Sequence, residues 1–415
     1  MRAAVLAIGD ELLIGQVVNT NAAWIGERLS ELGLRVVYQM SVGDQPEAIQ
    51  EALAFLWPRI DVLVSTGGLG PTHDDRTVEA MADYFGWHLE LDSEWVARMR
   101  AFFAARGHPM PDNNLRQARL PRQAERIPNA LGTAPGIWFE REDRVLVVLP
   151  GVPYEMQAMM RDFVLPRLGA RSDGERTRRR TLLTAGIGES ALAERIGDLS
   201  PWLARGLEVA YLSSPTGVRL RLTARGRDPQ QLERVLEELE AHLRSRIGQY
   251  IYGTDEEALE IVVGRLLSER SWTIAVAESC TGGLILDRLT NAPGSSRYLL
   301  GGVVAYANAA KTALLDVDPE VLAQHGAVSE PVALQMAEGA RRRFQATVGI
   351  ATTGIAGPTG GTPEKPVGLV WIGLSAPTGT WARRYQFEQD RRRNKERAAQ
   401  AALFWLWQYL TGLWR

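Results

Sequence analysis

Thr273-Ile-Ala-Val-Ala-Glu-Ser-Cys-Thr-Gly-Gly283 decides how the last third of the chain folds. Thr273–Ala277 is a short, β-branched and apolar run that reads as a buried strand. Glu278–Gly283 breaks it with a polar, Gly-rich turn, and a helical pattern follows to Leu289. Strand, tight turn, helix is the repeating unit of an α/β layered domain. Outward from it lie a helix over Glu256–Arg270 and strands near Leu299–Tyr306, Thr347–Thr353, Gly368–Leu374 and Trp381–Phe387. Helices near Pro331–Arg343 and Arg391–Leu410 complete the unit, which spans residues 254–415.

The same turn carries chemistry. The chain holds three lysines, Lys311, Lys365 and Lys395, among 47 Lys and Arg. Arginine cannot release its proton in a protein, whereas a desolvated lysine can. Ser279 at a Gly-rich turn, with Lys311 further along, supplies a nucleophilic oxygen and a neutral amine to take its proton. The same spacing also fits a Ser/Thr-capped helix start and a surface lysine. Cys280, Thr281, Gly282 and Gly283 would point backbone N–H groups at one spot and hold an oxyanion. Tyr306 would orient the lysine or relay a proton. Cys280 is a rival nucleophile that needs a base, and of the five histidines only His325 lies in this unit. Gly354-Ile-Ala-Gly-Pro-Thr-Gly-Gly361, with Ala356 and Gly357 at its centre, would offer amides to a phosphate, with Lys365 near its end. An ordinary flexible connection reads the same way. Arg391 opens the last helix and could bind a phosphate bidentately.

Residues 1–168 alternate strands (Ala3–Ile8, Arg35–Met40, Val62–Thr66, Arg144–Leu149) with helices (Asn21–Leu32, Pro46–Trp57, Arg76–Phe85). This is the pattern of a doubly wound, mostly parallel sheet covered on both faces. Ligands in such sheets sit at the carboxyl ends of strands. There the sequence places Asp10 and Glu11, Asn19, Asp44, the Gly67-Gly68-Leu-Gly70 loop, and Asp74 and Asp75. Clustered carboxylates beside a Gly-rich cradle suit a divalent metal, Mg2+ or similar, holding a diphosphate, with Asp10, Glu11, Asp74 and Asp75 as ligands. Helix capping accounts for one of the last two equally well.

Between these units, Arg171–Arg180 reads as a basic linker or the solvated start of the next element, and residues 174–253 form a small α+β, KH-like unit. Its elements are a strand Thr181–Ala185, a helix Ser190–Ile196, strands Glu208–Leu212 and Val218–Ala224, and a helix Gln230–Ile247. No Gly-x-x-Gly nucleic-acid clamp is evident in it. A spacer or homodimer contact suits it better than RNA binding. A net charge of −2 argues against bulk attraction to nucleic acid or an anionic membrane. One cysteine excludes an intrachain disulfide. The first ten residues are too short an apolar run for a signal peptide or a membrane span, so a cytoplasmic protein is expected.

Five segments resemble the nicotinamide mononucleotide deamidases: Ala277–Gly283, Val304–Lys311, His325–Pro331, Thr353–Pro358 and Lys365–Gly368. The resemblance covers about residues 255–412. It implies Ser279 and Lys311 as a catalytic dyad with Tyr306 beside them. The implied reaction converts nicotinamide mononucleotide to nicotinic acid mononucleotide and ammonia without a cofactor. The N-terminal motifs, with Leu149-Pro-Gly-Val-Pro153, resemble the molybdopterin-binding domain, whose functional positions match the Gly-Gly loop, Asp44 and Asp75. The order of the three units is similar to the CinA (competence/damage-inducible) family. That likeness implies metal-dependent cleavage of ADP-ribose to AMP and ribose 5-phosphate at the N-terminal site. The alternatives are a molybdopterin or nucleotide binder without hydrolysis, and a non-catalytic partner in DNA uptake, for which the charge balance offers no basic stripe.

Overall fold

The computed structural model describes residues 1–171, 174–387 and 390–414. These fall into two compact units, Met1–Arg178 with Arg225–Leu232, and Arg179–Ala224 with Glu233–Arg415.

In the first unit a six-stranded sheet runs in the order Arg35–Val42, Arg2–Ile8, Val62–Thr66, Arg144–Leu149, Gly136–Arg141, Glu125–Ile127. The first four strands are parallel and the last two antiparallel, so the sheet is mostly parallel. Side chains on a strand alternate between faces. Ala4, Leu6 and Ile8 accordingly pack in one core with residues of helices Pro46–Leu56 and Thr77–Phe85. Ala3 and Val5 pack in the other, with residues of helix Thr20–Glu31 and the helical run Pro153–Arg171. Both faces are therefore buried, and loops at the carboxyl ends of the strands are left to form a site.

The second unit holds two sheets. One has the order Leu207–Ser214, Gly217–Gly226, Arg176–Thr184, Ile251–Thr254, with helices Glu189–Ile196 and Pro229–Ile247. Of the two readings of Arg171–Arg180, the structure has the start of the next element rather than a linker. Residues 172 and 173 lie outside the described residues, and Arg176–Arg180 is the start of a strand. Arg180, half-buried, pairs with Glu233 and, at 2.7 Å, with Glu240, rather than lying in solvent. The loop into helix Glu189–Ile196 is Ala185-Gly-Ile-Gly188, Gly-x-Gly and not Gly-x-x-Gly.

The other sheet has the order Leu299–Val304, Ile274–Glu278, Val348–Gly354, Leu369–Ala376, Gly379–Gln386. The first three strands are parallel and the last two antiparallel. Ile274, Val276, Ile350 and Leu374 pack in a core with helices Leu259–Glu269, Leu284–Asn291 and Arg391–Thr411. Ala275, Ala277 and Ala351 pack in the opposite core with helices Asn308–Leu315, Pro319–His325 and Glu330–Arg343. The α/β/α layering is as the sequence predicts. Among the described residues no helix is long and apolar enough to cross a membrane.

Candidate active site

Ile274–Glu278 lies between two parallel neighbours, so Ser279 emerges where such a sheet presents ligands. The turn is held firmly. The Ser279 N–H donates to Thr352 O (2.9 Å) and the Gly282 N–H to Ser279 O (3.1 Å). The hydroxyls of Thr281 and Thr352 lie 2.7 Å apart. The fully buried Glu278 carboxylate accepts from the N–H groups of Gly283 (2.9 Å), Ile285 (3.2 Å) and Leu286 (2.9 Å). It thereby satisfies the first turn of helix Leu284–Asn291, whose N-cap, Gly283, has φ 95 and offers no side chain.

Lys311 meets this turn from helix Asn308–Leu315. Its Nζ lies 3.2 Å from Ser279 Oγ, 2.8 Å from Ala305 O and 3.0 Å from Tyr306 O. The residue is 1% exposed. Burial penalises the ammonium and pushes its pKa below the ordinary lysine value. A neutral amine has two N–H bonds for the two carbonyls and one lone pair for the serine proton. The surface-lysine reading is therefore excluded. Cys280 is buried and faces the core, and burial pushes its thiol up to about 12, which makes it a poor nucleophile at neutral pH.

Tyr306 does not reach Lys311 through its phenol. Its side chain is 60% exposed, and its hydroxyl accepts from Arg391 Nη2 at 2.9 Å; the Lys311 contact is through the Tyr306 carbonyl. Arg391 Nη1 donates to Gly357 O (2.8 Å), and Asn394 Nδ2 to Ala356 O (3.0 Å). Two carbonyls of the Gly354–Gly361 loop are thus turned to the last helix, and the Ile355 N–H is paired with Leu369 O at 2.8 Å. Gly354 itself is paired in the sheet with Val370. Lys365 is spent on His325 O at 2.5 Å. One residue the sequence reading left without a role belongs here: the Lys395 Nζ lies 3.3 Å from where a side chain at Gly282 would begin. Its spacing of four from Arg391 on a helix was the available signal.

At the first unit's strand ends, Asp10 and Asp44 form a reciprocal pair. The Asp10 N–H donates to Asp44 Oδ2 (3.0 Å) and the Asp44 N–H to Asp10 Oδ1 (3.2 Å). Burial, then the nearby charges of Asp10, Glu11 and Asp74, raise the Asp44 pKa. Gly67 and Gly68 have φ 111 and 65, and a Cβ on either would lie 2.1 Å from Ile8 O or Thr77 Oγ1, so only glycine fits. The Gly67 N–H is spent on Leu149 O (3.0 Å). Gly70 backs onto the Asp75 carboxylate, which accepts from the Thr72 N–H (2.9 Å) and hydroxyl. Asp74 is exposed beside His73. Asn19 is occupied as the cap of helix Thr20–Glu31, accepting from Ala22 N–H at 3.0 Å, and donates to Ser41 Oγ. The four-carboxylate cluster is not assembled: among the described residues no three His, Cys, Asp or Glu side chains could hold one ion. The Asp10–Asp44 pair still fits Mg2+, which is held by one or two carboxylates with substrate phosphates and waters. Asn21 Oδ1, buried and without a partner, lies beside these loops, since its amide donates to Gly151 O and Thr66 Oγ1.

A buried Ser–Lys pair on one α/β domain, with a Gly-rich loop domain ahead of it, defines the class. Family profiles agree with that division: a probable molybdopterin binding domain over residues 4–170, a damage-inducible protein CinA KH domain over 179–253 and a CinA C-terminal domain over 256–410. A CinA-like protein of Salinibacter ruber is 51% identical over 97% of this chain and 98% of its own. A putative competence-damage inducible protein of Symbiobacterium thermophilum is 46% identical over 99% of each. A crystallised CinA protein of Thermoplasma acidophilum shares 35% identity over 40% of this chain and 97% of its own, with a TM-score of 0.38. The chain belongs to the CinA-like, competence-damage inducible family.

Proposed function

We propose that the C-terminal domain is a Ser–Lys amidase that deamidates nicotinamide mononucleotide to nicotinic acid mononucleotide and ammonia. The observation that carries the reading is the Lys311 Nζ, 3.2 Å from Ser279 Oγ, at a buried position that holds its pKa below the ordinary lysine value. Ser279 Oγ attacks the carboxamide carbon as Lys311 takes its proton. The backbone N–H groups of the Gly-rich turn after Ser279 receive the oxyanion. Lys311 returns the proton to the departing nitrogen, ammonia leaves, and a water activated by the same amine releases the acyl group. The choice of a pyridine carboxamide nucleotide comes from the likeness of five motifs to the nicotinamide mononucleotide deamidases. Hydroxylamine added during turnover is expected to intercept the acyl-enzyme and yield the hydroxamate of nicotinic acid mononucleotide. Its absence at concentrations that leave ammonia release unaffected would point to direct attack by water.

The N-terminal domain completes the reading as a metal-dependent ADP-ribose hydrolase giving AMP and ribose 5-phosphate. Asp10 and Asp44 would hold the ion, which would neutralise the diphosphate, and the Gly67–Gly70 loop would border the ligand. Cleavage is expected to require Mg2+ and to fall about 10²-fold in Asp44→Ala. Pterin binding without cleavage of ADP-ribose would favour the molybdopterin-type alternative.

A further inference from the structure

The last helix presents its first turn to the Ser279 mouth, and its cations divide by face. Arg392 pairs with Glu396 (3.1 Å) and Arg393 with Asp390 (3.4 Å). Arg391 and Lys395, one turn apart, are ion-paired with no carboxylate among the described residues. Arg391 is committed to Gly357 O and Tyr306 OH, so its guanidinium holds the loop and the phenol in place. The Lys395 ammonium stands over Gly282, a position with φ +63 and no side chain to fend it off. This is the turn whose N–H groups already make a positive helix end. Glu278, the carboxylate beside it, is consumed by three of those N–H groups. A charge of one sign thus accumulates at the mouth, and among the described residues no carboxylate pairs with Arg391 or Lys395. Two of the three lysines in the whole chain have their nitrogen at this one turn.

We propose that Lys395 is a specificity-determining residue that binds the phosphate of the amide substrate, restricting the Ser279 site to phosphorylated amides. This rests on the amidase reading and deepens it. A lysine suits the task as a compact, mobile donor to a phosphate oxygen, and such charge-assisted bonds are worth about ten- to a hundredfold in binding.

The test compares kcat/KM for nicotinamide mononucleotide with that for its dephosphorylated nucleoside, using the full chain. Wild type is expected to prefer the nucleotide. Lys395→Met should narrow that preference by about ten- to a hundredfold, through KM of the nucleotide more than kcat. Lys395→Arg, which keeps the charge, should retain most of it. An unchanged preference in Lys395→Met, or an equal loss on both compounds, overturns the proposal. If wild type releases ammonia from neither compound, the amidase reading fails by itself. Calorimetric binding of nicotinamide mononucleotide then decides: weakening by Lys395→Met supports the phosphate site, and undiminished binding overturns it.

Discussion

Exchange of Lys311 for arginine is expected to lower amide hydrolysis by about 10³-fold, within the range that general-base catalysis supplies. A guanidinium stays protonated at every working pH, and at a 1% exposed position its charge would have to be buried permanently. Because that can also harm folding, Lys311→Met is the companion variant: neutral, similar in bulk, and expected to fold yet be equally inactive. The wild-type pH profile carries the same information. The base acts only when deprotonated, and burial holds its pKa below the ordinary lysine value. Activity should therefore rise about tenfold per pH unit on the acid side and level off at a pH below 10.5, the ordinary value. The rising limb should vanish in Lys311→Met. Near-normal turnover in either variant would remove Lys311 from the mechanism.

Ser279→Ala should cost still more, at least about 10³-fold and to the limit of detection, because no neighbouring group can take over the covalent step. Cys280 lies next in sequence, yet its thiol is turned into the core and pushed up to about 12. Cys280→Ala should therefore cost no more than a modest packing change. ADP-ribose cleavage should survive Ser279→Ala, since Asp10, Asp44 and the Gly67–Gly70 loop share no residue with the Ser279 turn. Equal loss of both activities would contradict two separate sites.

The parts legible in the sequence were those with strong local signals. Val62–Thr66 and Arg144–Leu149 have the bounds that their apolar runs predict, and Ser279 stands at the strand-to-helix turn that the Gly-Gly pair demands. Gly136–Arg141, a strand beside the parallel set, was not visible, because its apolar Ile137–Phe139 passes into Glu140 and Arg141 without a turn signal. Helix Asn308–Leu315 was missed because its buried face contains Lys311, which breaks the apolar periodicity. The role of Arg391 and the dispersal of the acids share one cause. Sequence spacing places residues at strand ends but does not say which carbonyl a guanidinium meets, or that Asp75 folds back onto Thr72.

Ammonia release from nicotinamide mononucleotide by the purified full chain, in excess EDTA, tests the central claim most directly. Release by wild type that is undiminished by the chelator and absent from Ser279→Ala is the predicted result. Ammonia production that stops on chelation, or that persists in Ser279→Ala, would contradict a metal-free Ser–Lys amidase.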